Sequence, residues 1–171
     1  ITIQSFLNAG GGYLYIGIKD DAINEKERFV GLINNGDKEL IRNKLIKRKK
    51  LMEGEEFTDT KFHDVLRSEI EDSIKKFLTS DFEIVPNLGF NFIDINNVYI
   101  LEISIPKSNA PVFYKNLSSN NKEIKYGIFL NGKLEWEQSL DLFYYRNGSE
   151  KTKCETFEDF NRYINSHFRK L

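Results

Sequence analysis

Residues 6–21 read Phe6-Leu7-Asn8-Ala9-Gly10-Gly11-Gly12-Tyr13-Leu14-Tyr15-Ile16-Gly17-Ile18-Lys19-Asp20-Asp21: a helix end, a glycine turn, a strand and an acidic tip. Three consecutive glycines permit positive φ and close backbone approach, so the chain can leave a helix and turn straight into a strand. Tyr13, Leu14, Tyr15, Ile16 and Ile18 are aromatic or branched and the run is short, which predicts a largely buried strand. Gly17 interrupts that run and predicts the close approach of another backbone or of a ligand. The glycines do not have the order of a phosphate loop, which follows a strand and opens a helix with lysine and serine or threonine. A polar loop and a second short strand, Phe29-Val30-Gly31-Leu32, come next.

The chain of 171 residues has the length of one domain with a sizeable core, and its 40% hydrophobic and 30% charged residues are those of a globular protein. A net charge of -1 removes any global electrostatic argument for nucleic-acid binding, so such a function has to rest on local clustering. The single cysteine, Cys154, cannot form an internal disulfide or a cysteine metal cluster, and it fits a reducing compartment. With no apolar run of membrane-spanning length and no signal peptide, a cytoplasmic location without membrane contact is expected. The chain opens without methionine on Ile1-Thr2-Ile3-Gln4-Ser5-Phe6-Leu7, at helical spacing, as a fragment starting inside a helix would.

Beyond the first strand pair, Gly36-Asp37 starts an amphipathic helix with Leu40, Ile41, Leu45 and Ile46 on one face. Its other face carries Lys38, Arg42, Lys44, Lys47, Arg48, Lys49 and Lys50, as either a solvated helix face or a phosphate-facing surface. Thr58 to Leu78 predicts a long helix whose core stripe is Phe62, Val65, Leu66, Ile70, Ile74, Phe77 and Leu78, with His63 and several acids mostly on the opposite, solvent-facing side. Strands are expected at Phe82–Val85, Phe90–Ile95, Val98–Ile105 and Pro111–Lys115, with Asn96-Asn97 as a hairpin turn. Asn131-Gly132 between apolar runs predicts a protruding ribbon. A strand, Leu142–Arg146, then enters a loop, Asn147–Thr152, and Phe157, Phe160, Tyr163, Ile164 and Phe168 mark a closing helix. The fold class is α+β: a mixed, mostly antiparallel sheet flanked by helices.

Two clusters carry the candidate chemistry. Asp20 and Asp21 sit at a strand tip, where carboxylate oxygens suit a hard cation and where acids are also ordinary surface residues. Lys107, Lys115, Arg146, Lys151 and Lys153 fall at strand ends among Tyr114, Tyr144 and Tyr145, so cations could meet phosphates while aromatics stack on unpaired bases. The alternative makes the tyrosines half-buried strand residues and the charges strand caps. No Ser-His-Asp or Cys-His arrangement is present to support nucleophilic hydrolysis.

Residues 6–21 with Val30-Gly31-Leu32 resemble the signature of the Schlafen AlbA-type domain, a nucleic-acid-binding family. Ile103-Ser104-Ile105-Pro106-Lys107-Ser108 with Pro111-Val112-Phe113-Tyr114-Lys115, and then Tyr144-Tyr145-Arg146-Asn147-Gly148-Ser149-Glu150-Lys151-Thr152, are similar to later pieces of it in the same order. The resemblance implies one domain over 1–171, truncated at its N-terminus, with a basic helix insertion near 37–57 and a β-ribbon near 123–137. It implies a nucleic-acid-binding module of a larger regulatory or defence protein; the residue patterns above, not the resemblance, make Lys107, Lys115, Arg146, Lys151, Lys47 and Arg48 the candidate contacts to RNA or DNA. It also leaves open a metal-dependent endoribonuclease, with Asp20 and Asp21 as catalytic residues, Asp20 as ligand to magnesium or manganese, and further acids upstream of residue 1. A third reading is a dimerisation module, and the family implies a homodimer or pairing with a second similar lobe.

Overall fold

The structure, a computed structural model, describes residues 1–19, 22, 24, 28–32, 42–47, 51–52, 54–79, 81–95, 97–114, 125–130, 133–139 and 143–168. The chain divides into two compact units, Ile1–Gly12 with Glu71–Leu88 and Ser104–Leu171, and Tyr13–Ile70 with Gly89–Ile103. In chain order the elements are α1 (Thr2–Leu7), β1 (Gly12–Ile16), α2 (Asp59–Phe77), α3 (Asp81–Ile84), a 3-10 turn (Val85–Asn87), β2 (Gly89–Ile95), β3 (Val98–Ile105), β4 (Lys125–Leu130), β5 (Lys133–Ser139), β6 (Tyr144–Asn147), β7 (Glu150–Lys153) and α4 (Phe157–His167). The class is α+β. Among the described residues the strands form one three-stranded sheet, in the order β1-β3-β2, and two hairpins, β4-β5 and β6-β7.

The first unit is organised by Asn8, which is wholly buried at the end of α1. Its Nδ2 donates to the Val112 carbonyl at 2.8 Å and to the Tyr144 carbonyl at 2.9 Å, while its Oδ1 accepts from the Val112 N–H at 2.7 Å. Gln4 Nε2 donates to the same Val112 carbonyl at 3.0 Å, and the Tyr163 hydroxyl donates to the Asn8 carbonyl. The stretch from Pro111 was expected to be a strand, and these contacts explain why it is not. Val112 is bonded by the Asn8 amide, and Phe113 by Thr79: the Phe113 N–H donates to Thr79 Oγ1 at 2.9 Å, and the Phe113 carbonyl accepts from the Thr79 N–H at 2.9 Å. A segment whose backbone groups are satisfied this way needs no ladder. Tyr114 alone makes a bridge, to Leu78.

The glycine turn serves packing. Ala9 and Gly11 N–H groups close the helix onto the Phe6 carbonyl at 3.1 and 3.0 Å. Gly11 has φ +79°, and a Cβ there would lie 2.6 Å from the Ile105 carbonyl oxygen and 2.9 Å from the Lys107 nitrogen. Only glycine combines that dihedral with that approach. The apolar core of this unit gathers Phe113, Phe143, Cys154, Phe160, Tyr163 and Ile164, with Phe143 edge-on to Phe160 at 5.0 Å between centroids. α4 starts at Thr156, whose hydroxyl oxygen accepts from the Asp159 N–H at 3.1 Å and whose hydroxyl group donates to the Asp159 carboxylate at 2.6 Å.

Two other expectations for this unit are corrected. Residues 82–84 belong to the helical turn α3 and Val85 to the 3-10 turn, not to a strand. Pro86 suits the start of such a turn, and Asn87 Nδ2 closes it by donating to the Glu83 carbonyl at 2.7 Å. The stretch 147–152, expected as a loop, supplies the end of β6 and most of β7. Only Gly148 and Ser149 turn, and Gly148, with φ +62°, occupies the first central position as in a type II′ hairpin.

In the second unit β1 lies at the edge of the sheet formed by the described residues, and the expectation that it is largely buried is wrong. Tyr13 is 59% exposed, Tyr15 45% and Ile16 38%. The composition of the run said strand, but exposure depends on which neighbours cover it, and among the described residues β1 has one strand neighbour, β3. Gly17 resolves as a backbone contact. It has φ +96°, a Cβ would sit 2.9 Å from the Gly31 carbonyl carbon, and its carbonyl accepts from the Val30 and Gly31 N–H groups at 3.0 and 2.9 Å. The expected strand 29–32 is reduced to a single bridge between Phe29 and Ile18.

β2 and β3 form a hairpin joined by two residues, of which Asn97 has φ 66° and donates its N–H to Asp94 Oδ1 at 2.8 Å. α2 is opened by Thr58, whose Oγ1 accepts from the Lys61 N–H at 3.3 Å. Its His63 does not face solvent: the imidazole stacks on Phe92 of β2 at 3.8 Å and meets Tyr99 of β3 edge-on at 5.1 Å. Residues 42–47 are helical, with Leu45 buried against Leu51, Phe57 and Phe62 and with Lys44 and Lys47 exposed. No described helix is long and apolar enough to cross a membrane.

Two substitutions test this scaffold. Asn8→Ala leaves the Val112 and Tyr144 backbone groups unpaired in the core, so urea denaturation should show a loss of about 2–5 kcal/mol. Gly17→Ala has to relieve both a positive φ and a backbone clash, and its loss should be about 1–3 kcal/mol in the same assay.

Candidate nucleic-acid interface

β6 and β7 align Tyr144 with Lys153, Tyr145 with Thr152, Arg146 with Lys151 and Asn147 with Glu150. Alternate residues of a strand face opposite sides, so Tyr145 turns inward, 4.0 Å from the Tyr163 ring and 6.5 Å from that of Phe143. Arg146 and Lys151 therefore stand directly opposite each other on the outer side. Like charges placed so are mutually destabilising, and a polyanion between them converts the repulsion into attraction.

Arg146 is held in position by its neighbours. Its guanidinium lies 4.3 Å over the Phe6 ring centroid and donates to the Ser149 carbonyl within the turn. Phe6 in turn is seated against Gly12, where a Cβ would come within 2.7 Å of the ring. The third glycine of the run thus makes room for an aromatic shelf beneath an arginine. Sequence reasoning missed Phe6; its place one helical turn ahead of the glycines was the available signal.

The other candidate residues are distributed differently. Lys107 donates through Nζ to the His167 carbonyl at 2.9 Å and lies 5.9 Å over the Phe168 ring, compensating the negative end of α4. Lys151 and Lys153 are exposed on β7, and Lys47 is exposed on the 42–47 helix of the second unit. Lys115, Arg48, Asp20 and Asp21 lie outside the described residues. Tyr114 stacks on Phe77 at 5.3 Å, so it and Tyr145 are packing residues rather than base-stacking surfaces. Of the six proposed contacts, Arg146 and Lys151 are the pair that these strands bring together.

Among the described residues, no group of three or more His, Cys, Asp or Glu side chains could hold a metal ion. Backbone pairing continues to Lys19, whose N–H donates to the Arg28 carbonyl at 2.8 Å, one residue before Asp20.

Beside the hairpin, a cleft of about 410 Å³ is lined by Tyr145, Lys153, Cys154, Asp159, Arg162 and Tyr163, among others. Burial, and secondarily the Asp159 carboxylate, pushes the Cys154 thiol up to about 11. Burial raises Tyr163 further, and Tyr145 rises for the same main reason.

An α+β domain with a cationic hairpin seated on a glycine-turned helix end is the class these features define. Residues 1–155 match the family model described as Schlafen, AlbA_2, and the chain belongs to that family. No curated protein and no solved structure matches it.

The shifted groups predict an alkaline limit. Their folded pKa values are raised, so the stability of the neutral forms is complete below the unfolded values, which for Cys154 is 9.0, and is lost as pH rises towards about 11. Urea midpoints should hold from pH 6 to 8 and fall beyond about pH 9, with a smaller fall in Cys154→Ala. A midpoint independent of pH up to about 11 would contradict this cause.

Proposed function

We propose that this domain binds nucleic acid, with the β6–β7 hairpin as a phosphate contact. The observation that carries the reading is that Arg146 and Lys151 are direct cross-strand partners on the hairpin, a pairing that like charges disfavour. Phe6 and the Ser149 carbonyl order the arginine before any ligand arrives, which reduces the entropy lost on binding. Membership of the Schlafen AlbA_2 family supports a nucleic-acid-related role. Phosphate contacts of this kind position a strand without reading its sequence, so the hairpin accounts for affinity rather than specificity.

Because the contact is electrostatic, affinity should fall steeply with salt, with the log–log slope reduced by about 0.7–0.9 for each contact removed. Arg146→Ala should lower that slope and weaken binding to unrelated sequences to a similar degree. Lys151→Glu makes the sharper test, since it replaces a like-charged cross-strand pair by an opposite one. It should raise stability by about 0.2–1 kcal/mol while weakening binding. A Lys151→Glu protein that binds as tightly as wild type would remove the hairpin from the interface.

A further inference from the structure

The second unit presents another surface that the cationic hairpin does not explain. Among the described residues seven large hydrophobic side chains are exposed, and four of them, Tyr13, Tyr15, Ile16 and Val30, fall on β1 or just beyond it. Tyr13 and Tyr15 are two residues apart on a strand, so their rings stand on one face, separated by about 7 Å along the chain. Glu102 of β3 fixes which face that is. Its Oε2 accepts from the Tyr15 hydroxyl at 2.7 Å and its Oε1 from Asn91 Nδ2 of β2 at 3.4 Å.

One row across the three strands therefore runs aromatic, carboxylate, amide, with two exposed rings at one end. The Tyr15 hydroxyl loses its proton less readily than an ordinary tyrosine, first because of its hydrogen bond to Glu102. At neutral pH it therefore stays the donor in this bond. A carboxylate has about four lone-pair positions, so two bonds within the protein orient Glu102 and leave it able to accept more.

We propose that this face holds one unpaired base of a single-stranded nucleic acid, guanine by preference. The ring stacks on Tyr13 and Tyr15, and Glu102 accepts from the adjacent N1–H and N2–H groups of the base edge. The proposal rests on the nucleic-acid-binding reading above and adds to it the base that is recognised. Charge complementarity selects this occupant. The carboxylate repels phosphate and attracts N–H donors, and of the common bases guanine offers two side by side, whereas uracil offers one beside two carbonyls. A protein partner fits less well, because interface cores are depleted of charge and this face has an oriented carboxylate in its middle. Exposed aromatic rings on a sheet are a sequence-tolerant platform for unpaired bases, and the fixed acceptor supplies the discrimination.

The test uses the full chain and two labelled RNA hexamers, hexauridylate and the same strand with one central guanine, in fluorescence anisotropy at low salt. The guanine strand should bind about tenfold tighter, as expected for one good base-edge contact. Tyr13→Ala should weaken both strands by about fivefold or more through loss of stacking. Tyr15→Phe and Glu102→Gln should bring the preference close to one by weakening the guanine strand, since both keep the stacking surface and lose the oriented acceptor. Equal binding of the two strands by wild type overturns the guanine assignment. Tyrosine variants that bind like wild type while Lys151→Glu is weakened overturn this site and leave the hairpin standing. No binding of either strand by wild type overturns both readings. Sedimentation that shows a wild-type dimer dissociated by Tyr13→Ala, with RNA binding intact, assigns the face to a second copy of the chain and also overturns the proposal.

Discussion

The three side-chain hydrogen bonds of Asn8 decide how the first unit is assembled. A primary amide carries a donor and an acceptor in the spacing of a peptide group, so one asparagine can satisfy both backbone groups of Val112 and still reach the Tyr144 carbonyl. A helix end, the segment after β3 and the start of β6 are thereby joined without a shared sheet. Burying such an amide is costly unless its bonds are made, which makes the arrangement selective. Aspartate could not donate, and leucine would leave Val112 and Tyr144 unsatisfied. The Tyr163 hydroxyl on the Asn8 carbonyl then ties α4 to the same point.

From that point a mechanical line leads to the charged hairpin. Asn8 fixes the end of α1, the glycines fix how the chain leaves it, and Gly12 leaves the space in which Phe6 lies under Arg146. The arginine stands on rigid elements rather than on a long loop, a condition for precise placement of a binding group. Lys107, equally charged and equally prominent in sequence, has a different task because a helix ends beside it. Charge alone therefore does not distinguish a binding cation from a capping one. The neighbouring backbone does.

Much of the fold was legible because its signals are local. The helical stripe of α2, the Thr58 cap, the Asn96-Asn97 turn and the glycine turn follow from spacing and from residues with restricted or unusual dihedrals. What misled was the environment. Tyr13 to Ile18 has the composition of a core strand, yet composition cannot say that β1 lies at an edge. The stretch 111–115 has the composition of a strand as well, but Asn8, Gln4 and Thr79, all distant in sequence, took the hydrogen bonds of Val112 and Phe113. His63 carries a polar label, and its flat ring nevertheless packs on Phe92 as an aromatic would. Within the candidate site, Arg146 and Lys151 were legible as charges. Their direct opposition was not, because it depends on the turn being two residues long.

Natural sequences satisfy most local preferences, and the places where they do not are informative. Two such places stand out among the described residues. A like-charged pair is held opposite itself on a hairpin that Glu at position 151 would stabilise, and an edge strand keeps two tyrosines in water where lysine or threonine would be safer. Neither belongs to the Asn8 hydrogen bonds, to the close approaches at Gly11 and Gly17 or to the aromatic cores. Opposed cations favour a phosphate and exposed rings beside an oriented carboxylate favour a base, and a nucleic-acid strand supplies both kinds of group. The two departures call for one class of ligand, although they lie in separate units and differ in chemistry.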